Sequence, residues 1–279
     1  MRDTPDVALH SSPDHLDFLV RGERIARYLP HAPVPGFAGI YIAGGRMLTA
    51  AAAGSEVSVW LSHGSVNGLG FGLVDGDDRE PSGRIVSREL LARRGSHSVG
   101  FQQECAWIGP DGHEWLRDLR TVRALPGPCS GSMLDFIVTF TAPEKRVVLD
   151  RSEAPFLRIQ TASPMFPAGG GQFRNSIGGY DLKAVHGMSA AWCGCIGVVQ
   201  GETAGLVCLD HPQNPFSPTP WLAQEDRVFS PSPFLRHRIE LAPHTEVTFR
   251  YRLMTHRGYV DEGWATDRWK EFSREPLRS

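Results

Sequence analysis

The sequence predicts an all-β protein, a large two-sheet β-sandwich finished by one short C-terminal helix. Three observations carry that prediction. Apolar and polar residues alternate with period two in many short segments, the signature of a half-buried strand. The segments recur at intervals of roughly 8–12 residues, broken by turn-forming residues, and the chain's 30 glycines and 21 prolines supply the turns. Helical periodicity is confined to the end, where Asp261 can cap a helix and Trp264, Arg268, Trp269 and Phe272 fall roughly on one face. No fixed-period repeat and no linker divides the chain. Residues 1–279 therefore read as a single all-β domain, its core over about 15–273 and its helix over about 261–273.

In chain order, Leu16 to Val20 and Arg24 to Leu29 flank Arg21-Gly22-Glu23 as a hairpin. A Pro/Gly loop from His31 to Gly36 leads into Ile40-Tyr41-Ile42 and then Arg46 to Thr49. Val57 to Leu61 is a short strand that runs out into Ser62-His63-Gly64-Ser65-Val66-Asn67-Gly68, followed by an open acidic loop over Asp75 to Asp78. Ile85 to Leu91 resumes extended structure. Ser98 to Ala124 is the clearest hairpin: Phe101, Gln103, Cys105 and Trp107 share one parity, and Gly109-Pro110-Asp111-Gly112 turns the chain. Met133 to Thr141, Val147 to Leu149 and Phe156 to Ile159 follow. The glycines at 169–171 form a turn rather than a phosphate cradle, since no helix and no Lys-Ser/Thr follow. Ala190 to Val199 pairs with Gly205 to Leu209, and Leu235 to Leu241 with Val247 to Met254 as the last strand pair.

The chain is organised around Asp210-His211-Pro212-Gln213-Asn214-Pro215-Phe216-Ser217-Pro218-Thr219-Pro220-Trp221. Four prolines in nine positions make it a stiff loop delivered by a buried strand. It reads in two ways. One is a small-molecule site, with Asp210 and Asn214 holding hydroxyls, His211 exchanging a proton and Trp221 stacking on a sugar face. The other is a proline-stiffened crossover between two sheets, plugged by Trp221 and Phe216, with Asp210 capping its own loop.

His63 and Asn67 flank a glycine-containing turn and offer an acid/base and a hydroxyl binder; Asn before Gly is equally an ordinary left-handed turn position. On the last long strand Thr248, Arg250, Arg252, Met254 and His256 share one face. That face looks to water or to a cleft where Arg252 and its neighbours could hold a carboxylate or a polyhydroxylated ligand. Glu104 and Glu114 form either an acid/base pair or surface ion pairs with Arg117 or Arg120. Cys193, Cys195 and Cys208 with His211 carry zinc-ligand chemistry, but Cys-x-Cys spacing and the frequency of core cysteines favour plain core. A set made of His63, His113, His211 and His256 needs a proximity that spacing does not supply. No metal and no cofactor is assigned.

A formal net charge of −2 with no basic stripe gives no footprint for nucleic acid. No apolar run reaches the roughly 18 residues of a membrane helix, and the acidic N-terminus lacks the apolar stretch of a signal peptide. Five cysteines, an odd number, read as reduced thiols and point to the cytoplasm. The expected partner is a small molecule.

Several motifs are similar to those of the bacterial family known as PmoA-like, itself of unknown function. They are Trp60-Leu61-Ser62-His63-Gly64-Ser65-Val66-Asn67-Gly68, Ala191-Trp192-Cys193, Asp210-His211-Pro212 with Asn214-Pro215, Pro218-Thr219-Pro220-Trp221, and Tyr251-Arg252-Leu253. The resemblance covers roughly residues 15–273. It implies an all-β protein found among carbohydrate-utilisation functions, with His63 and His211 as catalytic candidates and Asn67, Asp210, Asn214, Trp221 and Arg252 binding a sugar. A methane oxygenase subunit is excluded by the missing membrane helices. The chain departs from the pattern where the family carries His-His-Arg: Ser55, Glu56 and Val57 stand there. Ala191, Gly194, Leu222 and Gln224 likewise replace charged or imidazole groups. The thinned cluster leaves two expectations, a carbohydrate-active enzyme and a non-catalytic sugar-binding or structural relative.

Overall fold

A computed structural model describes residues 6–72 and 82–277. Val7–Ser11 (β1), Leu16–Val20 (β2), Glu23–Leu29 (β3) and Gly36–Ile42 (β4) form an antiparallel meander, with Arg46–Met47 (β5) folded back on β4. Val59–Leu61 (β6) pairs with β4. The chain then builds the other sheet through His63–Val66 (β7), Leu69–Phe71 (β8), Ser82–Arg94 (β9), Val99–Ile108 (β10), Glu114–Pro126 (β11), Ser132–Thr141 (β12) and Val147–Leu149 (β13). Leu157–Gln160 (β14) returns to the first sheet beside β6. Gln172–Asn175 (β15), the one-turn helix Leu182–Val185 (α1), Trp192–Val199 (β16) and Glu202–Asp210 (β17) follow. Trp221–Gln224 (β18) and Val228–Pro231 (β19) belong to the first sheet, Ile239–Leu241 (β20) and Glu246–Arg257 (β21) to the second, and Glu262–Phe272 is the final helix α2.

Among the described residues the first sheet has nine strands, ordered β1-β2-β3-β4-β6-β14-β19-β18 with β5 on β4. The second has twelve, ordered β15-β16-β17-β21-β12-β11-β10-β9-β8-β7-β13-β20. The two face each other across one apolar core that takes Phe18, Tyr28 and Leu61 from the first sheet and Phe101, Trp107, Val138 and Phe249 from the second. This is the all-β sandwich with a short C-terminal helix that the alternation predicts. The parity of Phe101, Gln103, Cys105 and Trp107 is a burial pattern: all four are completely buried. Inside the same core Asp118 forks onto Arg120 at 2.7 and 3.0 Å and accepts from Trp107 Nε1 at 2.6 Å. A buried ion pair is tolerable there because its hydrogen bonds are met.

Some elements differ from the sequence reading. β20 pairs with β13 and not with β21, because β21 already has β12 on one edge and β17 on the other. Strands β1, β7, β8, β18 and β19 and the turn of helix α1 carry no alternation long enough to signal them. The acidic loop over 75–78 lies outside the described residues. Among the described residues no helix is long and apolar enough to cross a membrane.

The proline loop is the crossover of the two readings above, leaving the second sheet at β17 and entering the first at β18. Trp221 is its plug, fully buried against Phe229 with Nε1 donating to the Ala190 carbonyl at 2.8 Å. Phe216 is no plug: it is partly exposed and stacks on His237 at 4.2 Å.

Candidate functional site

Residues nominated by the sequence fall into three separate places. Asp210, at the end of β17, faces inward and organises the crossover loop. Its carboxylate accepts from Asn214 Nδ2 at 2.7 Å, Ser217 Oγ at 2.8 Å and the Thr219 N–H at 2.9 Å. Asn214 in turn clasps β21 as a strand would: Nδ2 donates to the Arg250 carbonyl at 2.8 Å and Oδ1 accepts the Arg250 N–H at 2.7 Å. Burial pushes the Asp210 pKa up to about 6 against the pull of these three hydrogen bonds. Asp210 and Asn214 are thus spent on holding the loop, and Trp221, with no exposed ring face, offers no stacking platform.

His63 lies between the sheets. Its ring packs on Phe234 at 4.5 Å, and both of its nitrogens are buried without a hydrogen-bond partner. Burial drives its pKa down to about 3, opposed by Asp150 and nearby backbone of Ser65 and Asp150. Asn67 sits at φ 51°, the left-handed turn position, where its amide accepts from the Val148 N–H at 2.8 Å and donates to the Arg146 carbonyl at 3.4 Å. Replacing His63 by phenylalanine should raise stability by about 1 kcal/mol at pH 7, because it removes a buried polar group whose contacts with the Ser65 and Asp150 backbone fall short of good hydrogen-bond geometry. The sign check on pH agrees. A histidine whose folded pKa is lowered leaves the unfolded chain to take up the proton first, so wild type loses stability as pH falls below about 6.5, and the variant, which keeps His211 and His256 but lacks His63, loses less. Urea midpoints at pH 7 and pH 5 test both parts, and a less stable variant at pH 7 overturns them.

His211 and Arg252 meet on the outer face of β21, which is neither solvated nor open. Helix α2 and the tail after it cover that face, burying Trp192, Val207, Leu209, Met254, Ala265 and Phe272 together. Asp135 on β12 takes a fork from Arg252 Nε and Nη2 at 2.5 and 2.9 Å, and bonds from Arg250 at 2.8 Å and Arg123 at 2.9 Å. From the tail, Glu275 reaches Arg252 Nη1 at 2.8 Å and Nη2 at 2.9 Å, and Arg250 Nη2 at 2.5 Å. Phe272 lies 4.8 and 4.6 Å from the two guanidinium carbons. His211 Nε2 bonds the Glu275 carbonyl at 2.8 Å while Nδ1 receives the Gln213 N–H at 3.2 Å, a pattern that fits the Nε2–H tautomer. Burial lowers the His211 pKa, and the neighbouring arginines add to that while Glu275 opposes it. The face expected to hold a carboxylate therefore holds two, both from the protein itself.

The remaining candidates separate as well. Cys193, Cys195 and Cys208 are buried on the core side, whereas His211 and His256 pack on the outer face against Phe272 and Trp264. Glu104 and Glu114 are bound by Arg117 at 3.6 and 2.8 Å, the surface pairing considered above, and Arg120 is committed to Asp118.

An open cavity lies elsewhere, at the mouth between the sheets, with a volume of about 430 Å³. Two tight hairpins of opposite sheets meet across it. One turns at Arg21-Gly22 and the other at Cys129-Ser130, all four residues at positive φ, and Arg21 Nη2 donates to the Gly127 carbonyl at 3.4 Å. Glu23, Tyr41, Ser132, Thr255 and Arg257 line the mouth. Glu202 bridges Arg46 and Arg257 beside it, and the Arg257 hydrogen bond, with the charges of both arginines, holds its carboxyl below the ordinary range. Thr255 and Phe249, a β21 residue that packs on Phe234 beside His63, are six residues apart, about 20 Å along a strand. His63 and the cavity thus lie toward opposite ends of the sandwich. Sequence reading missed this cavity, and its signal is the Arg21-Gly22 turn, a type I′ hairpin that places a charged residue at a strand end.

The profile of a family of unknown function, DUF6807, matches residues 15–270. No curated protein matches the chain. Solved structures that match include a putative kojibiose phosphorylase from human microbiome, 8% identical with a TM-score of 0.40. That overlay covers 97% of this chain and 32% of the other, so the chain spans about a third of the length of that protein.

Proposed function

The chain belongs to this DUF6807 family of unknown function, and from its structure we propose a small-molecule-binding β-sandwich whose ligand is a carbohydrate or sugar derivative held in the mouth between the sheets. The observation that carries the proposal is the lining of that cavity. Tyr41, Ser132 and Thr255 line it together with the charged residues Arg21, Glu23 and Arg257 and the apolar Val20 and Ile25, and the Ser132 and Thr255 hydroxyls are already bonded to each other at 3.0 Å. Convergent donors and acceptors on an apolar floor suit a polyhydroxylated molecule, and the volume falls within the roughly 300–1,000 Å³ of small-ligand pockets. The motif resemblance to PmoA-like proteins belongs to this proposal, as does a cytoplasmic setting, supported by five free thiols. A catalytic reading has one supporting observation, the unpartnered imidazole of His63. His211 supports it less, since both its ring nitrogens are engaged.

The test is a thermal-shift screen of neutral monosaccharides and disaccharides on wild type, Arg21→Ala and Tyr41→Ala. A ligand at about 100 Kd stabilises wild type by roughly 2.7 kcal/mol. We expect at least one sugar to do so and both variants to bind it about tenfold more weakly. Equal binding by the variants, or no stabilisation by any sugar, overturns the proposal.

A further inference from the structure

We propose that Arg250, Arg252 and His211 form a second binding site, specific for a small carboxylate of the sugar-acid type, which in this structure is occupied by the protein's own Glu275. The site goes beyond the mouth between the sheets. Arg252 and Thr255 stand an odd number of positions apart on β21, so the two sites open on opposite faces of that strand.

The sheet itself holds the arginines. With the tail in place Arg250 is 0% and Arg252 6% exposed, and Asp135 on β12 fixes both guanidinium groups from below. Asp135 alone leaves two buried cations facing one anion, which is costly in a poorly solvated place. A second carboxylate restores the balance, and Arg252 presents the paired N–H groups that recognise one. Glu275 supplies it through a strap and not through a folded element: residues 273–277 follow α2 as turns and bends. The strap is held by the Glu275 side chain, by the carbonyls of Glu275 and Pro276, and by Leu277 N–H on Gln213 Oε1 at 3.2 Å. The Glu275 side chain is 37% exposed, so the strap lies at the surface and not in the core.

One atom shows that the strap does not saturate the site. Arg250 Nε is buried and has no hydrogen-bond partner. A free carboxylate can shift to reach that donor, whereas a glutamate tethered one turn past a helix is fixed in place. Hydroxyls next to the incoming carboxylate would meet the groups the strap now uses, His211 Nε2–H and the Gln213 amide. That combination names the ligand class, a carboxylate flanked by hydroxyls, as in a uronate or an aldonate. Glu275 then acts as a built-in competitor that only a ligand of higher affinity displaces. A short tether gives an effective concentration in the millimolar range, so wild type should bind the free ligand roughly tenfold or more weakly than a chain without the Glu275 carboxylate.

Isothermal titration with D-glucuronate and, as the uncharged control, D-glucose tests this on full-length wild type, Glu275→Ala and Glu275→Gln. All three are also made in the Arg21→Ala background, which removes the contribution of the other cavity. The expected result is glucuronate binding at least tenfold tighter to both Glu275 variants than to wild type in either background, abolished by adding Arg252→Ala, with no such gain for glucose. Glucuronate affinities that are equal across wild type and variants, or a glucose gain as large as the glucuronate gain, overturn the proposal. If both Glu275 variants unfold, their melting in excess glucuronate decides: rescue by glucuronate but not by glucose supports the site, and no rescue makes Glu275 a structural brace and ends the proposal. Failure here leaves the neutral-sugar screen untouched, since that screen reads Arg21 and Tyr41.

Discussion

Asp135→Ala should destabilise the protein by about 3–5 kcal/mol, because it removes the anion that two buried arginines share. Loss of a partner from a buried ion pair costs more than the pair contributed, since the remaining charges stay desolvated. The Arg250 and Arg252 side chains cannot swing out to water, held as they are under Phe272. Asp135 also sets a pH signature. Burial alone would raise its pKa, but the Arg252 fork and the charges of Arg252, Arg250 and Arg123 outweigh burial and hold the carboxyl below its ordinary range. A carboxylate with a depressed folded pKa contributes stability above its unfolded value near 4, and that stability is lost as pH falls through the folded value. Wild type should therefore lose stability steeply below about pH 4, and Asp135→Ala should show a shallower acid limb from a lower plateau. Equilibrium urea unfolding from pH 3 to 7 measures both. A plateau within about 1 kcal/mol of wild type would show that the arginines find water or another anion.

Asn214→Ala should be nearly as damaging, about 3–5 kcal/mol, although it deletes no charge and little apolar surface. Its amide closes three buried hydrogen bonds at once, to Asp210, to the Arg250 N–H and to the Arg250 carbonyl. Glutamine should not rescue it, because an extra methylene displaces an amide that has to match a backbone peptide on both sides. Asp210 supplies the pH readout. Its folded value of about 6 lies above the unfolded one near 4, so its term favours the fold at low pH and fades as pH rises from about 4 to 6. Losing the Asn214 hydrogen bond, which pulls that value down, widens the window upward. The variant's deficit relative to wild type should thus be larger at pH 8 than at pH 5, and equal deficits at the two values would separate Asn214 from Asp210.

What the sequence made legible follows from what is local. The 99–126 hairpin was readable because Phe101, Gln103, Cys105 and Trp107 face inward together around a Pro-Asp-Gly turn, and α2 because Asp261 accepts the Trp264 N–H as its cap. Four prolines identified the crossover loop. Alternation tells which way a side chain faces but not which strand lies beside it, so the pairing of β20 was misread. Strands β18 and β19 escaped because they are buried through nearly their whole length and show no alternation at all. The candidate residues were harder still. Trp221 carries an indole that serves equally as a platform or a plug, and the choice depends on Phe229 and Ala190, distant in sequence or on another strand. Arg252 was read as a holder of a ligand's carboxylate, and the carboxylates it holds in the structure are those of Asp135 and Glu275. Its partners, Asp135 in an ordinary alternating strand and Glu275 in an unmarked tail, carry no local signal.

The strand order of the first sheet has a consequence for how the chain is made. Leu61 on β6 pairs with Leu157 on β14, and β14 pairs in turn with β19 near residue 228. A ribosome adding roughly 5–20 residues per second releases β6 about 5–20 s before its neighbour exists, and the sheet stays unfinished until the last quarter of synthesis. Through that interval Val59, Trp60 and Leu61, all buried in the finished protein, form part of an unpaired apolar edge. Nascent chains stalled before residue 157 should be bound by general chaperones and cleaved readily by protease, and those stalled beyond residue 257 should resist it.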